Sequence, residues 1–234
     1  MNTGRIMAIF EKDLKEFMRN AMLFTTILLP IFLAFMYSRM GDGEEALPTM
    51  LVYLIVGVAF SAILCSGIMT MMAEENEKNT LRGLIQSPAS MVDILAGKSL
   101  VVILMTAASL VISFLIMDVA FEWSVASVGG LVLLALFFLN VGIAVGLTVD
   151  SVATTSVYLL PIMFVFGFTP MIEVIIPDSD HFIRQLTDYL PLYQNIALHE
   201  NETAVPLLIL VAWTLVSFLY VTWAFRKRMS DEAK

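Results

Sequence analysis

The sequence predicts an all-α integral membrane protein that forms a single transmembrane domain over residues 1–234. Two observations predict this fold class. The 234-residue chain is 59% hydrophobic and 15% charged, with a mean hydropathy of +0.87, whereas soluble domains are about 45–50% apolar and about 25% charged. The apolar residues also lie in long runs with almost no charge, and a run of about 18 or more such residues is typical of a membrane span.

Residues 4–20 are predicted to form an amphipathic helix at the membrane interface. Its two sides differ in character: the apolar residues are Ile6, Phe10, Leu14 and Phe17, and the charged residues are Glu11, Lys12, Lys15, Glu16 and Arg19. Because the segment continues directly into an apolar run, its apolar face can lie in the headgroup layer. The alternative is an ordinary amphipathic helix whose apolar face packs on protein.

Six apolar runs predict six transmembrane helices. They comprise residues 21–37, 47–73, 100–117, 128–149, 152–172 and 206–225. The second run exceeds the roughly 20 residues that cross a bilayer, so we expect it to tilt or to project from the membrane. The fifth contains Pro161 and Pro170, which predict kinks, because neighbouring groups can satisfy the carbonyls that a proline frees.

Gly142 and Gly146 leave one face of the fourth run bare, which favours general helix packing over a dedicated dimer seam.

The basic residues predict the orientation of the chain. They concentrate before the first run (Arg5, Lys12, Lys15, Arg19), between the second and third (Lys78, Arg82, Lys98) and after the sixth (Arg226, Lys227, Arg228, Lys234). Arg39 and Arg184 lie on the other side. Because short cytoplasmic connections are enriched in Lys and Arg, this bias predicts that both termini and residues 74–98 are cytoplasmic. Acidic residues contribute little to orientation, so the net charge of −8 does not oppose it.

Residues 173–205 form an outer segment before the sixth run. Between Pro177 and Pro191, apolar side chains recur at helical spacing; they are Phe182, Ile183, Leu186, Tyr189 and Leu190. This pattern predicts short amphipathic helices at the outer surface. They can cap a translocation path or serve only as an external connection.

Several kinds of chemistry are missing from the sequence. The middles of the six runs carry no Lys, Arg, Asp, Glu or His, and Asn140 is their strongest polar residue. Ion-coupled carriers usually need ionisable groups at membrane depth, so this class is disfavoured. The single cysteine, Cys65, excludes an intrachain disulfide and a cysteine-based metal cluster. His181 and His199 are expected to be solvated surface residues. We therefore expect no catalytic, cofactor or metal site on this chain.

Residues 96–99, Ala-Gly-Lys-Ser, resemble the end of a phosphate-binding loop. However, Val92 stands where that motif requires its first glycine. The glycines allow the tight turn that directs backbone N–H groups at phosphate, so we expect no ATP binding by this route. Lys98 is interpreted instead as a basic anchor at the cytoplasmic start of the third span.

The polar loop of residues 74–98 carries more pattern than a simple connection needs. Thr80, Leu81, Leu84 and Ile85 form an apolar ridge, and Ser87 with Pro88 can begin a second short helix whose inner face carries Met91, Ile94 and Leu95. Charged residues rim both helices: Glu75, Glu77, Lys78, Arg82 and Asp93. This arrangement predicts a surface on which a partner docks. The alternative is a loop that packs only against its own spans.

The loop resembles that of the ABC-2 type permeases of ABC transporters. The shared pattern is a glutamate, a Thr-Leu pair, a leucine, a Ser-Pro-x-Ser and a later Gly-Lys, which here are Glu75, Thr80, Leu81, Leu84, Ser87, Pro88, Ser90, Gly97 and Lys98. The order of interfacial helix, spans and loop extends the resemblance over nearly the whole chain. Asn79 and Arg82-Gly83 depart from the residues common in that family.

The resemblance implies the membrane subunit of an ATP-driven exporter in a bacterial or archaeal plasma membrane. Such a subunit pairs with a second permease protomer as a homo- or heterodimer, and a separate cytoplasmic ABC ATPase binds ATP and Mg²⁺. The loop would act as a coupling helix, and its expected ATPase contacts are Glu75, Glu77, Lys78, Thr80, Leu81, Arg82, Leu84, Ser87, Pro88 and Met91. The other expected partner is the lipid bilayer, and no nucleic acid is expected.

The sequence defines the cargo less closely than it defines the fold and the loop. Phenylalanines such as Phe137, Phe138 and Phe164 suit a lipophilic or amphipathic cargo (a drug, peptide or lipid), but they serve lipid-facing packing equally well. The alternative function is a non-transporting membrane scaffold or immunity protein that holds a cytoplasmic partner.

Overall fold

The computed structural model describes residues 2–39, 48–78, 90–119, 124–178, 180–200 and 204–232, and these residues contain helices but no strand. The helices are α1 (Thr3–Arg19), α2 (Ala21–Ser38), α3 (Thr49–Ala59), α4 (Ser66–Glu77), α5 (Met91–Met117), α6 (Val125–Thr148), α7 (Val152–Ile162), α8 (Met171–Ile175), α9 (Phe182–Thr187), α10 (Pro191–His199) and α11 (Ala204–Glu232). A π-helical segment, Phe60–Cys65, joins α3 to α4, and a second, Met163–Gly167, continues α7. The predicted all-α class is confirmed for the described residues.

Five of the described helices are long and apolar enough to cross a membrane. They are α2, the continuous helix Thr49–Glu77, α5, α6 and the Ala204–Arg228 part of α11. The helix formed by the predicted fifth run is shorter than the run of residues 152–172. It covers Val152–Gly167 only. Pro170 lacks the N–H group that would extend that helix and instead stands at the N-cap of α8.

The helix Thr49–Glu77, which we call the central rod, lies in the middle of the bundle. Its most apolar stretch is 94% buried inside the protein, against 17% for the corresponding stretches of α2 and α11. Most of the largest fully buried side chains, such as Tyr53, Ile63 and Met69, belong to it. The outer helices therefore surround the rod and turn large apolar side chains outward, for example Phe32 and Leu219.

The bare face of α6 packs against the central rod. A Cβ atom placed on Gly142 would lie 2.5 Å from the carbonyl oxygen of Cys65, and one on Gly146 would lie 3.0 Å from that of Met69. Helices approach this closely only where the side chain is missing. The prediction of close packing within the chain is confirmed.

The two π-helical segments meet where the central rod crosses the end of α7. A Cβ atom on Gly167 would lie 2.5 Å from the Ser61 hydroxyl, and one on Gly57 would overlap the carbonyl of Gly167. The Ser61 hydroxyl donates to the carbonyl of Gly57 at 2.7 Å. The crossing thus brings backbone against backbone at the point where both helices widen from α to π geometry.

A proline lies inside α2 without interrupting it. Pro30 is buried in the helix interior, and the Ser109 hydroxyl of α5 donates across to the carbonyl of Ile27 at 2.9 Å. A neighbouring helix commonly supplies such a donor where a proline disturbs the backbone ladder of a membrane helix. This bond ties α2 to α5 deep in the bundle.

At one end of the bundle, the end of α4 and the start of α5 form the two stems of the patterned loop, so we call this the stem end. The helix α1, the turn between α6 and α7, and the end of α11 also lie there. Contacts such as Glu77 with the N–H of Val152 and Arg228 with Asp150 connect these pieces. The basic segments of the sequence therefore share one end of the molecule. That this end faces the cytoplasm stays a prediction.

The opposite end carries the short helices α8, α9 and α10. Arg184 forms an ion pair with Glu173 at 3.3 Å and a hydrogen bond to the hydroxyl of Tyr193, so it joins all three. His181 is exposed and accepts the N–H of Ile183, in line with a surface position. The expectation of a solvated His199 is wrong, because its ring is half-buried and lies edge-on to Tyr53, with ring centroids 5.8 Å apart.

Candidate functional site

The two helices that flank the patterned loop converge at the stem end. Residues 79–89 lie outside the described residues, so the structure leaves untested the predicted contacts at Thr80, Leu81, Arg82, Leu84, Ser87 and Pro88. It does describe both stems, namely α4 up to Lys78 and α5 from its N-cap Ser90. The site is therefore defined by what holds these stems in place.

A buried ion cluster joins the stems to α1. The ammonium of Lys98 lies 3.1 Å from a carboxylate oxygen of Asp13 and 3.0 Å from one of Glu75. These three side chains come from α5, α1 and α4, and their residues are only 2%, 1% and 6% exposed. Isolated charges are too costly to bury, so each requires the others. The cluster fixes three helices relative to one another.

Lys12 closes the cluster from the surface. Its ammonium lies 3.5 Å from both Asp13 and Glu75. Burial lowers the pKa of Lys12, but the neighbouring carboxylates, chiefly Asp13 and Glu75, raise it by more, so the net shift is upward. Lys12 therefore stays charged at neutral pH, and two ammonium groups face two carboxylates.

The sequence interpretation missed Asp13. This residue lies between Phe10 and Phe17 on the helix face that turns inward, where α1 packs against α5. There Ile9 lies so close to Gly97 that a Cβ atom on the glycine would be 2.7 Å from the isoleucine side chain. An acid within the apolar stripe of an amphipathic helix was the available signal, because such a residue needs a buried partner.

The structure places Lys98 differently from the basic anchor expected at the cytoplasmic start of the third span, because the residue is buried. Its ammonium points inward to two carboxylates, because the first turns of α5 are covered by α1. Glu75 likewise occupies a different place from the exposed rim expected of it. It lies on the inner face of α4, where it is buried and hydrogen-bonded to Lys98 at 3.0 Å.

The start of α5 is fixed by a capping box. Ser90 and Asp93 exchange hydrogen bonds, with the N–H of Asp93 donating at 3.2 Å and the N–H of Ser90 at 3.1 Å. The N–H of Asn2 also donates to Asp93 at 3.0 Å, which draws the start of α1 to this cap. Asp93 is consequently buried and not at a charged rim.

The helix that carries Met91, Ile94 and Leu95 differs from the expected second short helix. It begins at Met91 and runs on as one helix to Met117. Hydropathy placed the start of this span later because of the polar Asp93 and Lys98. Both side chains find partners within the protein, so the helix continues through them. Met91 itself is half-buried and packs on the core.

The end of α4 is tied to the turn between α6 and α7. The side-chain amide of Asn76 donates to the carbonyls of Gly146 and Val149, both at 2.9 Å, and so satisfies acceptors at the end of α6. Glu77 accepts the N–H of Val152 at 2.9 Å, next to the first turn of α7. Glu77 and Lys78 are exposed, and Lys78 pairs with Glu74 at 3.3 Å.

The arrangement consists of contacts that hold helices together. No group of His, Cys, Asp or Glu that could hold a metal ion occurs among the described residues. What the site offers is a loop whose two stems are each held by buried polar contacts to several helices. These contacts join the central rod and α5 to each other at the stem end.

A comparison with protein families supports the resemblance that the loop pattern and the order of the spans predicted. A family model described as ABC-2 family transporter protein matches residues 42–224, which include the central rod, both stems and α5 to α10. A comparison with curated proteins finds no match. With this match over most of its length and several helices able to cross a membrane, the chain is a multi-pass membrane protein that belongs to the ABC-2 family of transporter proteins.

Proposed function

We propose that this chain is the permease subunit of an ATP-driven exporter and that its loop of residues 79–89 receives the force from a separate ABC ATPase. The observation that carries the proposal is the double anchoring of the loop. One stem is held by Glu75 and Asn76, and the other by the Ser90–Asp93 cap and Lys98.

The stems make the loop a suitable lever. A flexible stem would absorb a displacement, whereas two helices joined through a buried ion cluster move together. The α4 stem is the end of the central rod itself, whose middle is almost wholly buried by the other helices. A push on the loop therefore reaches the helix that lies deepest in the bundle.

The contact with the ATPase is proposed at Thr80, Leu81, Arg82, Leu84, Ser87 and Pro88. The exposed Glu77 and Lys78 at the foot of the loop extend this surface, and Met91 adjoins it at the start of α5. Glu75 has a different role, because its buried carboxylate positions the stem and leaves the ATPase contact to its neighbours.

The helix Val152–Gly167, from the predicted fifth run, is proposed as the additional crossing that brings the total to six. Its first residue is held at the stem end by Glu77. The residues that follow the helix, Phe168 and Met171, pack against Leu54 and Val58 near the start of the central rod, at the opposite end. The segment thus passes from one end of the bundle to the other although it is short for a span.

The remaining parts of the proposal follow the family. The chain works as a homo- or heterodimer in a bacterial or archaeal plasma membrane with its stem end in the cytoplasm, the partner ATPase binds ATP and Mg²⁺, and the cargo is lipophilic or amphipathic. A scaffold without transport activity is the competing outcome. It predicts a stable complex that moves no drug, peptide or lipid of a test panel on addition of ATP.

The test is co-expression with the cognate ATPase and reconstitution into liposomes. Leu81→Asp is expected to abolish co-purification or to uncouple ATP hydrolysis from transport, because a carboxylate on the apolar ridge opposes burial in a cleft. Val125→Asp is the matched control, since Val125 is an exposed apolar residue at the opposite end of the bundle. Full assembly and transport by the Leu81→Asp protein would refute the assignment of the loop.

A further inference from the structure

A cavity of about 160 Å³ opens at the stem end. It lies between the turn that joins α6 to α7 and the end of α11, and it is lined by Leu147, Thr148, Asp150, Ala224, Lys227 and Arg228. A single water molecule needs roughly 15 Å³ of cavity volume. The cavity therefore has room for a hydrated group much larger than one water molecule.

The lining favours an anion. Two cationic side chains, Lys227 and Arg228, face a single carboxylate, that of Asp150. The ion pair between Arg228 and Asp150 is long, at 3.8 Å, and the Asp150 side chain is 94% exposed. A long ion pair with one fully exposed partner contributes little stability and is easily displaced. An anion that binds Arg228 more tightly than the Asp150 carboxylate does could therefore bind between Lys227 and Arg228.

The cavity lies at the depth expected of lipid headgroups. The apolar part of α11 ends at Phe225, directly before Arg226, Lys227 and Arg228. One turn earlier, Tyr220 and Trp223 stack with ring centroids 5.8 Å apart, and Trp223 is half-exposed. The ammonium of Lys227 lies 5.4 Å from the Trp223 ring. Aromatic residues followed by basic ones are typical of the boundary between acyl chains and headgroups.

We propose that this cavity binds the phosphate of an anionic phospholipid between Lys227 and Arg228, with the acyl chains lying along the exposed side of α11. The apolar surface needed for the chains is present, because Val216 and Leu219 are exposed on the same helix. A basic pocket between helices at the cytoplasmic face is a recurrent form of anionic-lipid recognition. The inference does not depend on ATPase coupling.

Anionic lipids are preferred over zwitterionic ones on grounds of charge. The lining carries two positive groups and one negative group, so a positive charge added to the headgroup weakens the net attraction. Each basic residue near an anionic headgroup contributes enough that its loss should weaken binding about fivefold. Asp150 is expected to weaken lipid binding, because its carboxylate competes with the phosphate for Arg228.

The test is a titration of the purified full-length chain in detergent with fluorescent phosphatidylglycerol in the presence of excess phosphatidylcholine. Lys227→Gln and Arg228→Gln are expected to raise Kd about fivefold each. Asp150→Asn is expected to lower Kd. Arg226→Gln is the matched control, since it removes the same charge from the neighbouring position, which does not line the cavity, and its Kd should stay that of the unchanged chain.

Three results would overturn the proposal. Equal weakening by Arg226→Gln and Lys227→Gln would mean that the lipid responds to a diffuse surface charge. Equal competition by phosphatidylcholine would remove the anionic preference. Displacement of the lipid by millimolar glycerol phosphate or inorganic phosphate would assign the cavity to a soluble phosphate. The opposite sign expected for Asp150→Asn separates binding from misfolding, because loss of fold cannot tighten binding.

Discussion

Asp13 and Lys98 depend on each other although they belong to different helices, α1 and α5. Among the described residues, Lys98 without Asp13 would keep only Glu75 as a partner, and Asp13 without Lys98 would keep only the exposed Lys12. Their ammonium-to-carboxylate distance of 3.1 Å makes the buried pair tolerable. The local sequence around each residue carried a weak signal: a carboxylate on an apolar face and a lysine inside a helix of apolar residues. Neither signal names the partner, because pairing depends on how the helices pack.

We expect Lys98→Met to destabilise the protein by about 3–5 kcal/mol, the usual effect of removing one partner of a buried ion pair. The substitution leaves the carboxylates of Asp13 and Glu75 buried with only Lys12 beside them. Thermal unfolding in detergent, followed by circular dichroism, measures the change.

Lys15→Met provides the control for this substitution, because Lys15 is exposed on α1. It should change the free energy of unfolding by less than about 0.5 kcal/mol. The double variant Asp13→Asn with Lys98→Met should recover part of the lost stability. Similar stabilities of the Lys98→Met and Lys15→Met proteins would contradict the structural role of the cluster.

At the scale of the element, the helix boundaries show where hydropathy succeeds and where it fails. The predicted first run, residues 21–37, became α2, Ala21–Ser38. By contrast, α5 starts at Met91, well before the predicted residue 100, because its polar residues are paired inside the protein. A window of hydropathy counts a lysine as polar whether or not a partner neutralises it.

The glycine face of α6 gives a prediction at this scale. Gly142→Ala should destabilise the bundle by about 1–3 kcal/mol, because the new methyl group would lie 2.5 Å from the carbonyl oxygen of Cys65 and must push the helices apart. Detergent-solubilised protein should show this as a lower unfolding temperature.

Gly129→Ala is the matched control on the same helix. No atom lies within 4 Å of a Cβ atom at this position, and alanine is favoured over glycine in a helix by up to about 1 kcal/mol. The two substitutions should therefore shift the unfolding temperature in opposite directions. A lower temperature for both would argue that the glycines act through some property other than close packing.

For the whole molecule, the number of crossings decides where the C-terminal basic cluster lies. Between Lys78 and Arg226 the proposed topology has four crossings, by α5, α6, Val152–Gly167 and α11. An even number returns the chain to the same side of the membrane. If the short helix fails to cross, the two positions must lie on opposite sides.

Cysteine labelling tests this topology. Cys65 is buried and contributes little background. In intact cells an impermeant maleimide should label Leu186→Cys, at an exposed position of α9, and should leave Lys78→Cys and Arg226→Cys unlabelled until the membrane is opened. Labelling of Arg226→Cys but not of Lys78→Cys in intact cells would show that Val152–Gly167 is not a crossing.

The sequence by itself determined that the chain is helical and apolar enough for a membrane, where most spans lie, which loop is unusual and that α6 has a bare face. These are properties of local composition and spacing, which follow from how each segment partitions between water and lipid. Only the tertiary structure decided that Thr49–Glu77 is the central helix, that Asp13, Glu75 and Lys98 meet, and that Lys227 and Arg228 line a cavity. Such contacts join residues distant in sequence, and the packing of whole helices sets them.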